Sequence, residues 1–225
     1  MALLSPADQD RLRESFAEMT STVRVLFFTQ AIGCDTCVMT KQILDELPRL
    51  SDRIAVEELN VVIDADKAKQ YGIDRAPGLA LVGQDGKGAE HDSRIRFLGA
   101  PSGYELASLV HAVMLVGGRP SSLSEENRAR VEAVDTPVTL RVFTTPTCPH
   151  CPGAVGLAHE MAFASRNITA YAVEATEFPD LARRYRITGV PKTVVNEDEG
   201  EILGALPQDA FVEQALGPFK SRTEV

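Results

Sequence analysis

Four cysteines stand in two pairs, Cys34-Asp35-Thr36-Cys37 and Cys148-Pro149-His150-Cys151. Two cysteines three apart can close a disulfide or hold a metal. Each pair follows a short apolar run, Val23 to Phe28 or Val138 to Phe143, and opens a helical pattern. That context favours redox chemistry, because a helix N-terminus carries partial positive charge and unpaired N–H groups that stabilise a thiolate. Cys34 and Cys148 are therefore the candidate nucleophiles. Cys37 and Cys151, about one helical turn further along, are placed to attack a mixed disulfide and release the partner. Pro149 is expected in the first helical turn, where its missing N–H costs nothing. Protonated His150 favours the Cys148 thiolate, and stabilising the reduced form makes the disulfide a stronger oxidant. Asp35 puts a like charge beside the Cys34 thiolate. The Cys148 pair is expected to be the more oxidising and the more reactive. A structural zinc site is the main alternative, but zinc ribbons close tightly spaced pairs and these stand 114 residues apart.

The elements around the pairs repeat. Ser5 can cap a first helix with Pro6 at its first position, ending near Thr20. Strand Val23 to Phe28 leads to the first pair and a helix that Pro48 ends. Strand 54–60, a short helix from Asp64 to Tyr71, strand Leu79 to Val82, an Asp85-Gly86 turn, strand Arg94 to Leu98 and a helix from Ser102 to Leu115 complete the first half. Gly117 to Ser122 reads as a linker, and a short helix from Ser124 to Val134 follows. The second half runs strand Val138 to Phe143, the second pair, a helix through Met161, strand Ile168 to Val173, a helix from Phe178 to Tyr185, strands Thr193 to Asn196 and Ile202 to Leu203, and a helix from Gln208 to Leu216. Cys34, Cys37 and Pro77 each recur 114 residues later, at Cys148, Cys151 and Pro191. Leu98-Gly99-Ala100 recurs after 105, so the first half carries nine extra residues in its hairpin, expected in a loop. A period this long means two tandem domains, 1–118 and 119–225.

At 225 residues, 44% hydrophobic and 24% charged, the composition is that of an ordinary globular chain. A net charge of -9 with no basic run offers nothing to nucleic acid or an anionic membrane. No segment reaches the roughly 20 apolar residues that span a bilayer. No signal-peptide pattern opens the chain, so a cytoplasmic location is expected. His91, His111 and His159 have no motif around them and are expected as surface or satisfied core residues. Glu57-Glu58 and Glu197-Asp198-Glu199 read as solvated faces.

Each half reads β, Cys-x-x-Cys, α, β, α, Pro, β, β, α, with the proline 43 residues after the first cysteine. This order resembles the thioredoxin fold. The tandem arrangement, with Thr145-Pro146-Thr147-Cys148-Pro149 and Val190-Pro191-Lys192, is similar to the two-unit, glutaredoxin-like protein disulfide oxidoreductases. The resemblance implies an α/β class: two tandem thioredoxin-like folds, each a mixed four-stranded sheet flanked by helices. It implies that Pro77 and Pro191 are cis prolines facing the pairs, and that the backbone of Ala76 and Val190 pairs with an extended substrate peptide. Proline and histidine between the cysteines also resemble the oxidising protein DsbA.

Two features depart from thioredoxins. Phe28 and Val142 stand where a buried aspartate is expected, and Gly33 and Thr147 where a tryptophan is. Proton transfer must use another group or water, and Glu174 is a candidate. Three functions compete. The first is a disulfide oxidoreductase acting on protein thiols, with no cofactor beyond its own redox-active disulfides and recycled by a thioredoxin-reductase-like flavoprotein. The second is an electron carrier from such a flavoprotein to a peroxiredoxin. The third is a peptide-holding scaffold, against which the retention of both pairs argues.

Overall fold

The computed structural model describes residues 4–84 and 88–222, and the expected Asp85-Gly86 turn lies outside them. Ser5 begins the first helix as expected. Its hydroxyl accepts from the Asp8 N–H at 3.2 Å, with Pro6 in the first turn of α1 (Pro6–Ala17). This helix stops short of Thr20, because the Thr20 and Ser21 N–H groups bond to Gly117 O and turn the chain into β1 (Thr22–Thr29). The first half continues with α2 (Cys37–Glu46), which runs into a 3-10 turn over Leu47–Arg49 at Pro48. It is completed by β2 (Ile54–Asn60), α3 (Ala65–Gln70), β3 (Gly78–Gln84), β4 (Glu90–Leu98) and α4 (Glu105–Val116). Ser124 caps α5 (Glu125–Glu132) by accepting from the Asn127 N–H. The second half then follows as β5 (Val138–Thr144), α6 (Cys151–Ala164), β6 (Ile168–Glu174), α7 (Pro179–Arg184), β7 (Lys192–Val195), β8 (Gly200–Leu203) and α8 (Gln208–Leu216).

The 114-residue offset holds at both ends of β2 and β6, at both ends of α3 and α7, and at the start of β3 and β7. The nine extra residues of the first half are mostly strand rather than loop. β3 has seven residues against four in β7, and β4 nine against four in β8. Val82, Gly83 and Gln84 pair with Asp92, His91 and Glu90, beyond a register shift between Ala80 and Val82.

The two expected four-stranded sheets are fused. One eight-stranded sheet runs in the order β2-β1-β3-β4-β6-β5-β7-β8. Its seam is a parallel pairing of β4 with β6, from Ile95↔Ala170 to Leu98↔Val173. Left unpaired, β4 would expose a long edge of N–H and C=O groups beside buried Ile95 and Phe97. Arg96, on the β4 side of the seam, ties β4 to the end of α3 within the first half. It is 2% exposed, donates to both Asp92 carboxylate oxygens at 2.8 and 2.6 Å and to Tyr71 O at 2.6 Å.

Strand alternation sorts the apolar side chains into two layers. Val25 and Phe27 join one core with Leu109, Val142, Met161 and Phe211. Leu26 and Phe28 join the other with Tyr71, Phe143, Val173 and Tyr185. Both layers draw on both halves, so the core is continuous across the seam. Among the described residues, no helix is long and apolar enough to cross a membrane.

Candidate active site

Both cysteine pairs lie at the carboxyl ends of the central strands β1 and β5, and both are closed. Cys34 and Cys37 are joined with Cα atoms 5.4 Å apart, Cys148 and Cys151 with Cα atoms 5.5 Å apart. Each second cysteine is the first residue of its helix, so each first cysteine sits in the preceding turn, one turn ahead of the helix N–H groups. Pro149 therefore lies in that turn and not in the helix, and Pro152 occupies the first turn of α6. Cys151 is fully buried, Cys148 8% exposed and Cys37 6% exposed, while Cys34 is the more open sulfur. His150 and Asp35 are exposed beside their pairs.

The Ala76-Pro77 and Val190-Pro191 bonds are cis. Register places both prolines at the strand ends that lead to the pairs. Phe28 opposes Gly78 in β3, and Phe143 opposes Lys192 in β7, so each proline flanks the strand end from which a cysteine loop leaves. Around the first pair, a cleft of about 520 Å³ is lined by Gln30, Cys34, Thr36, Ala76, Glu177 and Phe178. The last two belong to the second half. Arg75 lies over the Phe178 ring at 5.2 Å and reaches Asp180 at 3.1 Å, binding α7 to the wall of this cleft.

Sequence reasoning missed Glu105. This first residue of α4 is 3% exposed, and neither carboxyl oxygen has a hydrogen-bond partner among the described residues. Burial pushes its pKa up to about 7, with Glu174 adding to the push and the neighbouring Ser108 and Thr144 hydroxyls opposing it. Thr144 ends β5, so this carboxyl from the first half lies beside the strand end from which the Cys148 loop leaves. The fit is close. Tyr104 N–H donates to Pro146 O at 2.9 Å, and a Cβ on Gly103, at φ +58°, would lie 2.2 Å from that same oxygen. A carboxyl poised near neutrality exchanges protons well at physiological pH. Glu174, the candidate from the sequence, is buried but occupied. It accepts from Thr176 N–H at 3.2 Å, Thr176 Oγ1 at 2.9 Å and Glu177 N–H at 2.6 Å, closing the loop after β6.

The histidines have separate places. His91 is exposed. His111 Nε2 stands 3.4 Å from Glu160, whose carboxylate also accepts from Ser121 and Ser122 of the linker segment. His159 is fully buried with neither ring nitrogen hydrogen-bonded among the described residues, and lies edge-on to Phe97. It is a core residue but not a satisfied one, and burial lowers its pKa to about 3. In the first acidic run Glu57 pairs with Arg24 and Lys67 and Glu58 with Lys41; in the second, Glu197 pairs with Arg184 and all three residues are exposed, as expected of a solvated face.

Residues 138–217 match the family model described as a thioredoxin domain. The F subunit of the Pseudomonas putida alkyl hydroperoxide reductase is 31% identical over 132 residues, covering 55% of this chain and 25% of that protein. The chain thus spans about a quarter of the length of the curated relatives it matches. Among solved structures, the F subunit of the Enterococcus faecalis alkylhydroperoxide reductase has a TM-score of 0.84 at 27% identity, covering 93% of this chain and 98% of the other. A protein disulfide oxidoreductase from Aeropyrum pernix has a TM-score of 0.82 at 27% identity, covering 93% and 90%. Residues 138–217 thus match a thioredoxin domain, and the whole chain has the tandem thioredoxin-like fold of these two structures.

Proposed function

We infer that the chain is a thiol–disulfide oxidoreductase acting on protein thiols and disulfides through both pairs, with the Cys148 pair the principal and more oxidising site. The observation that carries this reading is the Cys148–Cys151 disulfide at the head of α6, with a buried carboxyl of pKa about 7 beside Thr144 at the end of the preceding strand. In the reducing direction the Cys148 thiolate attacks a substrate disulfide. Glu105 then takes the proton from Cys151, whose thiolate displaces the substrate from the mixed disulfide. The backbone beside Pro191 and Pro77 holds the substrate segment as an added strand. The disulfides themselves are the redox groups, and a thioredoxin-reductase-like flavoprotein recycles them in the cytoplasm.

A second reading has specific support. Likeness to the F subunits of alkyl hydroperoxide reductases, in sequence and in fold, favours a relay that passes electrons from a flavoprotein reductase to a peroxiredoxin. Assaying the full chain for insulin disulfide reduction, and for peroxide consumption when coupled to a flavoprotein reductase and a peroxiredoxin, separates the two. General oxidoreductase activity requires insulin reduction that Cys148→Ser strongly lowers and that Cys34→Ser together with Cys148→Ser abolishes. Peroxide consumption with no insulin reduction selects the relay. A redox-silent protein that still holds unfolded peptides would return the scaffold reading.

A further inference from the structure

The Cys34–Cys37 pair also has a carboxyl beside it, and that carboxyl comes from the opposite half. Glu177 follows β6, yet its side chain crosses the seam. One oxygen accepts from the hydroxyl of Thr36, the residue before Cys37 in sequence, and the other accepts from the Ala100 N–H at 2.8 Å. Two bonds to the first half hold the group in place, half-buried in the cleft that exposes Cys34. Glu174 fixes its backbone from below through the Glu177 N–H.

We propose that Glu177 is the positioning residue for proton transfer at the Cys34–Cys37 site, acting through the Thr36 hydroxyl, so that each pair draws its carboxyl from the opposite half of the chain. This rests on the reading of the Cys34 pair as a working site. During resolution the Cys37 thiol gives its proton to Thr36 Oγ1 as Thr36 passes its own to the Glu177 carboxylate. The Cys37 sulfur bonds to Cys34, the Cys34–substrate bond breaks, and its electron pair leaves on the substrate sulfur, which takes up a proton from water. The substrate is reduced by two electrons and the pair is oxidised to its disulfide.

The surroundings suit this. Burial holds the Glu177 carboxyl above the usual carboxylate range, with the hydrogen bonds from Thr36 and Ala100 opposing and Glu174 assisting. The other charged groups around the cleft are Asp35 on the cysteine loop, Asp74 and Arg75 before Pro77, Asp180 of α7, and Glu174 of β6. Arg75 is occupied by Asp74 and Asp180, so it does not neutralise Glu177.

The test uses the full chain with Cys148→Ser and Cys151→Ser, leaving only the first pair. The apparent thiol pKa values of the reduced pair, read from alkylation rate against pH, and the rate of release from a mixed disulfide are compared with and without Glu177→Gln. The expected result is an alkylation profile displaced to lower pH, because the carboxylate charge is gone. Release slows about tenfold at pH 7, a modest general-base effect, and recovers at alkaline pH where Cys37 ionises unaided. Thr36→Val should give the same loss, and the double variant no more. Superimposable alkylation profiles, or slowing by one factor at every pH, overturn the proposal. If the pair releases no partner even with Glu177 intact, the reading of a working first site fails, while the alkylation profiles still decide whether Glu177 acts on the thiols.

Discussion

Keeping Glu105 charged at 3% exposure and without a hydrogen-bond partner is costly, and that cost is what would make it useful for proton exchange at the Cys148 site. Its folded pKa of about 7 lies above the ordinary 4.5, so the stability it permits is fully present below about pH 4.5 and is lost as pH rises through 7. Glu105→Gln removes that loss. Urea unfolding should find the variant more stable on the order of 2–3 kcal/mol at pH 8 and unchanged at pH 4. The same variant should slow exchange at the Cys148 pair about tenfold to a hundredfold at pH 7, measured with the first pair replaced by serine. Of these residues the cysteines were legible from spacing alone, and the prolines from their shared distance to them. Glu105 was not. An acidic residue opening an apolar helix reads as a complement to the helix dipole, and nothing local says that the second half of the chain will bury it.

Among elements, period and capping chemistry were legible, and edges were not. β2 and α8 have the bounds expected from the pattern, and Ser5 and Ser124 cap their helices through their hydroxyls. β4 begins at Glu90 because Glu90, His91 and Asp92 are held by pairing to β3 rather than by apolar alternation. The β4–β6 seam is carried by backbone groups, which leave no mark in residue type, so the fusion of the two sheets had no signal. One substitution tests the polar anchoring of β4 within the first half, and another tests a contact between the halves. Arg96→Met leaves Asp92 without its paired guanidinium in a half-buried position, and denaturant unfolding should show a loss on the order of 2–4 kcal/mol. Gly103→Ala forces a Cβ against Pro146 O in a left-handed backbone conformation, and should cost on the order of 2–3 kcal/mol. It should also slow exchange at the Cys148 pair, because the same contact seats Glu105.

At the scale of the molecule, two copies of one plan have become different from each other. One sheet and two apolar layers run through both halves, so secondary-structure and tyrosine signals should be lost in a single coincident transition on heating. Two separated transitions would mean that the seam contributes little. Within that common frame, the first pair is open and carries Asp35, while the second is more buried and carries His150. That asymmetry is the central claim, and the reduction potential of each pair tests it most directly. Full-length Cys34→Ser/Cys37→Ser and Cys148→Ser/Cys151→Ser proteins are titrated against a glutathione or dithiothreitol series. The Cys148–Cys151 couple should titrate at the higher potential, by about 30 mV for each tenfold difference in equilibrium constant. A Cys34–Cys37 couple at an equal or higher potential would contradict it.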